Sequence, residues 1–144
     1  SNIGGSEQHM SDVDSNITQA LNARAETMIA ALGYTAIWAG KGGEPPVVEH
    51  VRIEQLPNEN IPAGLSDQVY FRQGFLIITL VSPLGLYEIV TKKRAGAIAA
   101  YFKRAQSFTV NDTLVSIFGY NIRKGRQEGQ RWETPIWINY RSIA

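Results

Sequence analysis

The sequence predicts an α+β fold: a mixed, mostly antiparallel β-sheet with two α-helices packed on one face. Segments 11–32 and 86–104 carry apolar residues at helical spacing, whereas the segments between and after them have the apolar patterns of strands. The longest apolar run, 68–82, is rich in β-branched and aromatic residues, and Pro83 and Gly85 end it. An order of helix, strands, helix and strands is typical of α+β domains.

The composition narrows the class of protein. The chain has 144 residues, a formal net charge of +1 and no cysteine, which excludes disulfides and thiolate metal sites and gives no sign of a strongly charged partner. No apolar run is long enough to span a membrane. Residues 1–9 read as the remnant of an expression tag, and residues 10–144 are expected to form a single domain.

The first helix is expected from Ser11 to Leu32, capped by Ser11 or Asp12 and ended by Gly33. A short strand, 34–38, follows, and then a glycine-rich loop, 39–46. That loop leads into two prolines instead of a Gly-Lys-Ser/Thr helix start, so it is not a phosphate-binding loop. Residues 47–56 form a second predicted strand, and a long polar loop, 57–67, comes after it.

The long apolar run has apolar residues on both of its faces. Because it exceeds the usual strand length of about 5–6 residues, we expect a bulge or bend at Gly74. The second helix is expected over 86–104, with an apolar side made of Val90, Ala97, Ile98, Tyr101 and Phe102. Two helices cannot easily cover both faces of a sheet, so the second face must curl on itself or meet another chain.

The carboxyl-terminal part predicts a β-hairpin over 106–122, turning at Asn111-Asp112. A connecting loop, 123–130, contains two glycines and three basic residues. The last strand, 131–141, directs Trp137 away from the core side, and Pro135 suggests that part of it lies at a sheet edge.

Candidate catalytic chemistry is sparse. His50 is the one histidine outside the tag-like segment, no nucleophile motif surrounds any serine, and no carboxylate pair has a catalytic context. We therefore interpret His50 as a surface strand histidine and expect no enzyme activity, metal site or cofactor. The basic residues of 123–131 could contact the phosphates of a nucleic acid. Glu128 and Glu133 reduce the positive charge of this segment, and no aromatic residues on which bases could stack alternate with the basic ones.

Several sequence features follow one another along the chain in a recognisable order. They are the amino-terminal helix, a strand ending in Leu56-Pro57, the polar loop, Tyr70-x-Arg72-x-Gly74 opening an apolar strand that closes at Pro83-x-Gly85, a helix ending at Phe102, and a final hairpin with Gly125 to Gly129, Trp132, Pro135-Ile136 and Tyr140. This order, over residues 10–144, resembles the small tail terminator-like proteins of long-tailed bacteriophages.

The resemblance implies a structural virion protein without catalytic residues, located at the tail–neck junction and assembled in the bacterial host cytoplasm. It implies a homo-hexameric ring on the end of the tail tube, which stops tube polymerisation and provides the head-joining surface. The implied partners are further copies of the chain, the major tail tube protein and the head–tail connector protein, with no membrane and no specific nucleic acid.

Ring and tube contacts in that family are made by sheet edges and long loops, which by position are here 57–67 and 123–130. The expected contact residues, with Trp137 added from the second sheet face, are Asn58, Glu59, Asn60, Asp67, Arg123, Lys124, Arg126, Gln127, Glu128 and Trp137. The arginines and the lysine are expected to pair with carboxylates of a neighbouring subunit or of the tube.

Three other functions remain open from the residues. A head-completion or connector protein would share the size and ring symmetry, and a tail tube subunit would polymerise without limit. A small α+β enzyme or ligand-binding module would need a convergent polar pocket.

Overall fold

A computed structural model describes residues 5–42, 44–57, 61–62, 70–104 and 106–143. Neither helix within these residues combines the length and the hydrophobicity needed to cross a bilayer. The elements in chain order are α1 (Gly5–Leu32), β1 (Thr35–Trp38), β2 (His50–Pro57), β3 (Ile61–Pro62), β4 (Tyr70–Pro83), α2 (Glu88–Ala99), β5 (Ser107–Val110), β6 (Thr113–Ile122), β7 (Arg126–Glu128) and β8 (Arg131–Ile143).

The strands form one mixed sheet in the order β1-β2-β4-β8-β6-β5, with β3 paired to β4 and β7 paired to β8. β1 and β2 are parallel, and every other described pair is antiparallel. Both helices contribute to a single apolar core on one face, where Leu21 of α1 and Ile98 of α2 join Ile78 of β4. The α+β prediction is confirmed.

The first helix ends as predicted but begins earlier. It starts at Gly5, inside the segment interpreted as a tag remnant, and runs through the predicted caps Ser11 and Asp12, so that capping prediction is wrong. Gly33 follows the helix with a φ of 77°, and its N–H donates to the carbonyl oxygen of Ile29 at 2.8 Å. Glycine takes this left-handed conformation without steric penalty, which explains where the helix ends.

The second helix is shorter than predicted and presents a different side to the sheet. It spans Glu88–Ala99, and Thr91, Ala95 and Ala99 are buried along it at intervals of four residues. Small side chains at this spacing let the helix approach the sheet closely. Ala97 is therefore exposed and Val90 only half-buried, contrary to the prediction, whereas Ile98 and the following Phe102 are buried as expected.

Strand β4 lies between β2 and β8, with continuous pairing to both. The bulge predicted at Gly74 is absent, because Gly74 pairs in register with Pro57 and Tyr140. A Cβ at Gly74 would lie 2.5 Å from the carbonyl oxygen of Leu56 and 2.8 Å from the hydroxyl of Tyr140. The glycine thus leaves room for the tyrosine, whose hydroxyl accepts a 2.8 Å hydrogen bond from Gln55 Nε2.

The carboxyl-terminal hairpin is confirmed. Asn111 and Asp112 have φ angles of 47° and 67°, which fit a two-residue turn between β5 and β6. The described register shift lies in β6 instead of β4, between Ile117 and Gly119.

The edge position was predicted for the part of the last strand around Pro135, and β8 otherwise lies inside the sheet between β4 and β6. Locally, Pro135 falls between the last pair with β6, Ile122–Ile136, and the first pair with β7, Arg126–Glu133. Its carbonyl accepts from the N–H of Arg123 at 2.8 Å. The N–H and C=O of one strand residue point to the same side of the strand. Because proline has no N–H, the position where Pro135 lacks this donor faces the break between β6 and β7, and no pairing hydrogen bond is lost there.

The second face of the sheet, opposite the helices, buries its centre without another chain. Ile77, Thr79 and Val81 of β4 are 8%, 3% and 4% exposed. Because the sheet curls and longer side chains from β2 and β8 flank β4, this strip is shielded within the chain itself. Of the two outcomes predicted for this face, curling accounts for the burial of β4.

We predict that Ile78→Ala lowers the free energy of unfolding by about 2–5 kcal/mol, because it opens a cavity in the centre of the core. Ile78 is fully buried between Ile53 and Ile136. Urea unfolding measures the change. A melting temperature within a degree or two of the parent would contradict the placement of β4 in the core.

We also predict that Gly74→Ala destabilises the protein by about 1–3 kcal/mol, because the added methyl group overlaps backbone and the Tyr140 hydroxyl. Gly96→Ala in α2 is the matched control, since a Cβ there meets nothing within 4 Å. The control should be neutral or stabilising by about 0.5–1 kcal/mol. Equal effects of the two substitutions on thermal unfolding would refute the close-packing explanation.

Candidate functional site

The second face carries a cavity of about 300 Å³, which we call the second-face cavity. Strands β2, β4, β7 and β8 and the segment after β6 line it with both charged and aromatic side chains. The lining residues are Arg52, Glu54, Ile77, Thr79, Arg123, Lys124, Arg126, Glu133, Pro135 and Trp137. A separate cavity of about 310 Å³ lies beside β1, and among the described residues Lys41 and Glu44 are its charged lining residues.

Strand alternation brings these side chains to one face. Arg52 of β2 lies opposite Thr79 of β4, and Ile77 of β4 lies opposite Trp137 of β8. Side chains of paired residues share a face of the sheet, so the polar side of β2 and the outward side of β8 meet across β4. Arg123 and Lys124 follow directly on the end of β6.

An ion pair crosses β4 inside the cavity. Arg52 Nη1 and Nη2 donate to Glu133 Oε2 and Oε1, both at 3.1 Å. This hydrogen bonding lowers the pKa of Glu133 against the opposing effect of burial, and it raises the pKa of Arg52. Arg126 Nη2 lies 3.9 Å from the same carboxylate, at Oε1. Glu133 is therefore kept ionised by the cations around it.

Arg123 stacks on an aromatic pair. Its guanidinium carbon lies 3.9 Å from the ring centroid of Trp137, and that ring meets Phe75 edge-on at 5.1 Å between centroids. Cation–π contact orients the guanidinium without neutralising its charge. Within the described residues, neither Arg123 nor Lys124 forms an ion pair.

The structure brings together four of the predicted contact residues, Arg123, Lys124, Arg126 and Trp137, in this cavity. The predicted loop 123–130 is only partly a loop, because residues 126–128 form β7 and pair with the start of β8. Gly129, with a φ of 59°, turns the chain between them. Gln127 and Glu128 are exposed in β7 and do not line the cavity.

The other predicted contact residues lie outside the described residues: Asn58, Glu59, Asn60 and Asp67. Sequence reasoning missed Arg52, Glu54 and Glu133 as members of the site. The alternation of β2 had placed Arg52 and Glu54 on its polar side, but no local signal linked them to Glu133, about eighty residues further along the chain.

The interpretation of His50 as a surface residue is wrong. His50 is 3% exposed, and its Nδ1 donates to the carbonyl oxygen of Val48 at 2.9 Å. Arg131 helps to hold the segment before β2 over the sheet by donating to the carbonyl of Val47. In the part of the chain that the structure describes, no three histidine or carboxylate groups are grouped to hold a metal ion.

One end of the sheet exposes large apolar side chains, and we call it the apolar end. It comprises the segment before β2 and the connection from β4 into the first turn of α2. The Arg94–Glu49 ion pair joins the segment before β2 to α2, and the Arg131 bond to Val47 joins it to the start of β8. Tyr87 is 81% exposed. The exposed members are Val47, Val48, Leu84, Leu86, Tyr87 and Ile89. Such clustered exposure is typical of surfaces that contact other proteins.

Sequence comparison decides the family. The family model described as phage tail terminator protein matches residues 16–140, which is most of the chain. The chain belongs to this family. The tail terminator assignment makes it a structural protein of phage tails, located in the virion, and indicates a structural role instead of a catalytic one.

Two solved structures share the fold. One, a chain without a descriptive name, has a TM-score of 0.72 and 16% identity, covering 92% of this chain and 94% of its own. The other belongs to the virion of a native gene transfer agent particle, with a TM-score of 0.63 and 8% identity, covering 92% and 98%. At these identities the likeness establishes the fold. No curated protein matches the sequence.

We predict that Glu133→Gln lowers the free energy of unfolding at pH 7 by about 1–3 kcal/mol, because Arg52 loses its charged partner. The lower part of this range is favoured, since the Arg52 side chain is 39% exposed to solvent. Glu54→Gln, in the same cavity but outside any described ion pair, is the control and should have a small effect.

The difference in the free energy of unfolding between the parent and Glu133→Gln should depend on pH. The pKa of Glu133 is lower in the folded protein than in the unfolded chain. The ionised carboxylate therefore stabilises the fold fully above the ordinary glutamate pKa of about 4.3, and this stabilisation is lost as the pH falls through the lowered pKa of the folded protein. Urea unfolding at pH 7 and pH 3 measures this. A difference of the same size at both pH values would contradict the role of the ionised carboxylate.

Proposed function

We propose that this tail terminator protein forms a homo-hexameric ring on the end of the tail tube, stops tube polymerisation and provides the surface to which the head joins. The match of the family model over residues 16–140 carries the proposal. The partners are further copies of the chain, the major tail tube protein and the head–tail connector protein. The protein acts at the tail–neck junction of the virion, and it is assembled into the tail in the host cytoplasm.

Two surface features support an assembly role. The apolar end offers an exposed aromatic and aliphatic cluster, and the second-face cavity offers arginines beside a tryptophan. Tyrosine, tryptophan and arginine are the residue types that contribute most to protein interfaces. Continuous pairing of β4 with β2 and β8 keeps the strand residues of the second-face cavity in fixed geometry, as a ring with repeated identical contacts requires.

The basic part of the second-face cavity is the most direct target for a test. Arg123→Glu with Lys124→Glu reverses two exposed charges that form no ion pair within the described residues, so folding should be preserved. Arg126 is left unchanged because it contacts Glu133 and Glu128. The matched control is Lys103→Glu with Arg104→Glu, an exposed adjacent pair with the same change in charge.

We predict that phage carrying the Arg123→Glu, Lys124→Glu variant make tails of uncontrolled length without heads, because reversed charges repel the partner carboxylates that the parent attracts. Electron microscopy of tails measures length and head attachment, and thermal unfolding of the purified variant verifies its fold. The control variant should give normal particles.

Two other outcomes would distinguish tube termination from the alternative functions. Tails of normal length with heads, from a folded variant, would contradict the assignment of these residues to assembly. Tails of normal length without heads would indicate a head-completion or connector role in place of tube termination.

A further inference from the structure

We propose that α2 and the connection entering it form a conformational device, which detaches from the sheet as one cooperative unit while the rest of the fold stays intact. This unit, which we call the α2 unit, comprises residues 84–99 and carries most of the apolar end. The motion goes beyond the proposed function, because it belongs to the single chain and would occur in a protein that formed no ring.

Among the described residues, two buried hydroxyl groups on the helix-facing side of the sheet form no hydrogen bond. They belong to Ser82 of β4 and Thr134 of β8, which are 0% and 2% exposed. Thr134 pairs with Leu80, two positions before Ser82, so all three side chains lie on the face that carries the helices.

α2 is the helix that covers these two hydroxyls. It contacts both β4 and β8, whereas the main contacts of α1 are with β5 and β6. A buried hydroxyl without a partner loses its hydrogen bonds to water and gains none in return. Detachment of α2 would hydrate both groups, so the attached state carries a desolvation penalty that the detached state does not.

Several features of α2 make its attachment to the sheet weak. Its buried residues include one large apolar side chain, the set being Thr91, Ala95, Ile98 and Ala99. Hydrophobic stabilisation is roughly proportional to the apolar area buried, so the small members of this set contribute little. Tyr87 at the amino end forms no side-chain capping hydrogen bond, and Gly96 in the interior lowers the stability of the helix.

The two ends of the α2 unit are held differently. Near its start Gly85 has a φ of 97°, whereas Phe102, just after its end, is fully buried in the core. In between, Arg94 Nη1 donates to Glu49 Oε2 at 2.5 Å, and within the described residues this is the one ion pair that joins α2 to another part of the chain. A protein that binds the apolar end in its closed arrangement therefore stabilises the attached state of α2.

Native-state hydrogen exchange of the full chain at increasing urea concentrations tests the proposal, by comparison of α2 amides with β4 amides. The central variant is Thr134→Val, which replaces the unpaired hydroxyl with a methyl group of similar size. Thr113→Val is the matched control, because the Thr113 hydroxyl is also buried in a strand but accepts a 3.0 Å hydrogen bond from Asn16 Nδ2.

We expect α2 amides to exchange about tenfold faster than β4 amides and to share one urea dependence, weaker than that of β4 because detachment exposes less surface than global unfolding. Thr134→Val should slow α2 exchange by about tenfold, the factor that corresponds to the cost of an unpaired buried hydroxyl. Thr113→Val should leave α2 exchange unchanged and accelerate β4 exchange, since its hydrogen bond breaks only in global unfolding.

Two results would overturn the inference. Equal exchange rates of α2 and β4 amides at every urea concentration would mean that α2 opens only with the whole fold. Unchanged or faster α2 exchange in a folded Thr134→Val variant would mean that opening does not release an unpaired hydroxyl. If Thr134→Val does not fold, Ser82→Ala gives the same comparison, and its control is Ser142→Ala, whose buried hydroxyl donates to the Leu114 carbonyl at 2.6 Å.

Discussion

The pairing of β4 with β2 on one side and β8 on the other is the interaction on which the rest of the structure depends. Both ladders run without a register shift, so each residue of β4 has a defined neighbour on either side. Because side chains alternate between faces, this one register decides what meets the helices and what meets the second face. A slip by one residue would exchange Ile78 with Thr79 and disrupt the core and the charged cavity together.

The two faces of β4 are stabilised by different forces. Toward the helices, Leu76, Ile78 and Leu80 join a continuous apolar core. Toward the second face, Thr79 lies beneath an ion pair between β2 and β8, and the dehydration of Glu133 is offset by two hydrogen bonds from Arg52. An apolar pair of similar volume could stabilise the fold equally well, so the ion pair adds electrostatic specificity more than stability.

This arrangement has a functional consequence. The cations after β6 lie beside a carboxylate that is already satisfied, and one of them is oriented by a tryptophan anchored on β8. Their charge is therefore directed to solvent in a geometry fixed by the sheet. The apolar end adds exposed hydrophobic area elsewhere on the surface. A surface with aromatic, aliphatic and basic components suits an assembly protein, in agreement with the tail terminator family.

Local patterns were enough to determine the element types. The helix ending at Gly33, the long strand ending at Pro83 and the Asn111-Asp112 hairpin follow from short-range spacing and turn chemistry, which the sequence states directly. The family resemblance likewise followed from the order of such motifs. Only the tertiary structure decided the close packing of Tyr140 on Gly74, the burial of His50 and the membership of Arg52, Glu54 and Glu133 in the site. The physical reason is that each depends on strand register and helix approach between distant segments, and periodicity within one segment carries no information about which segments will be neighbours.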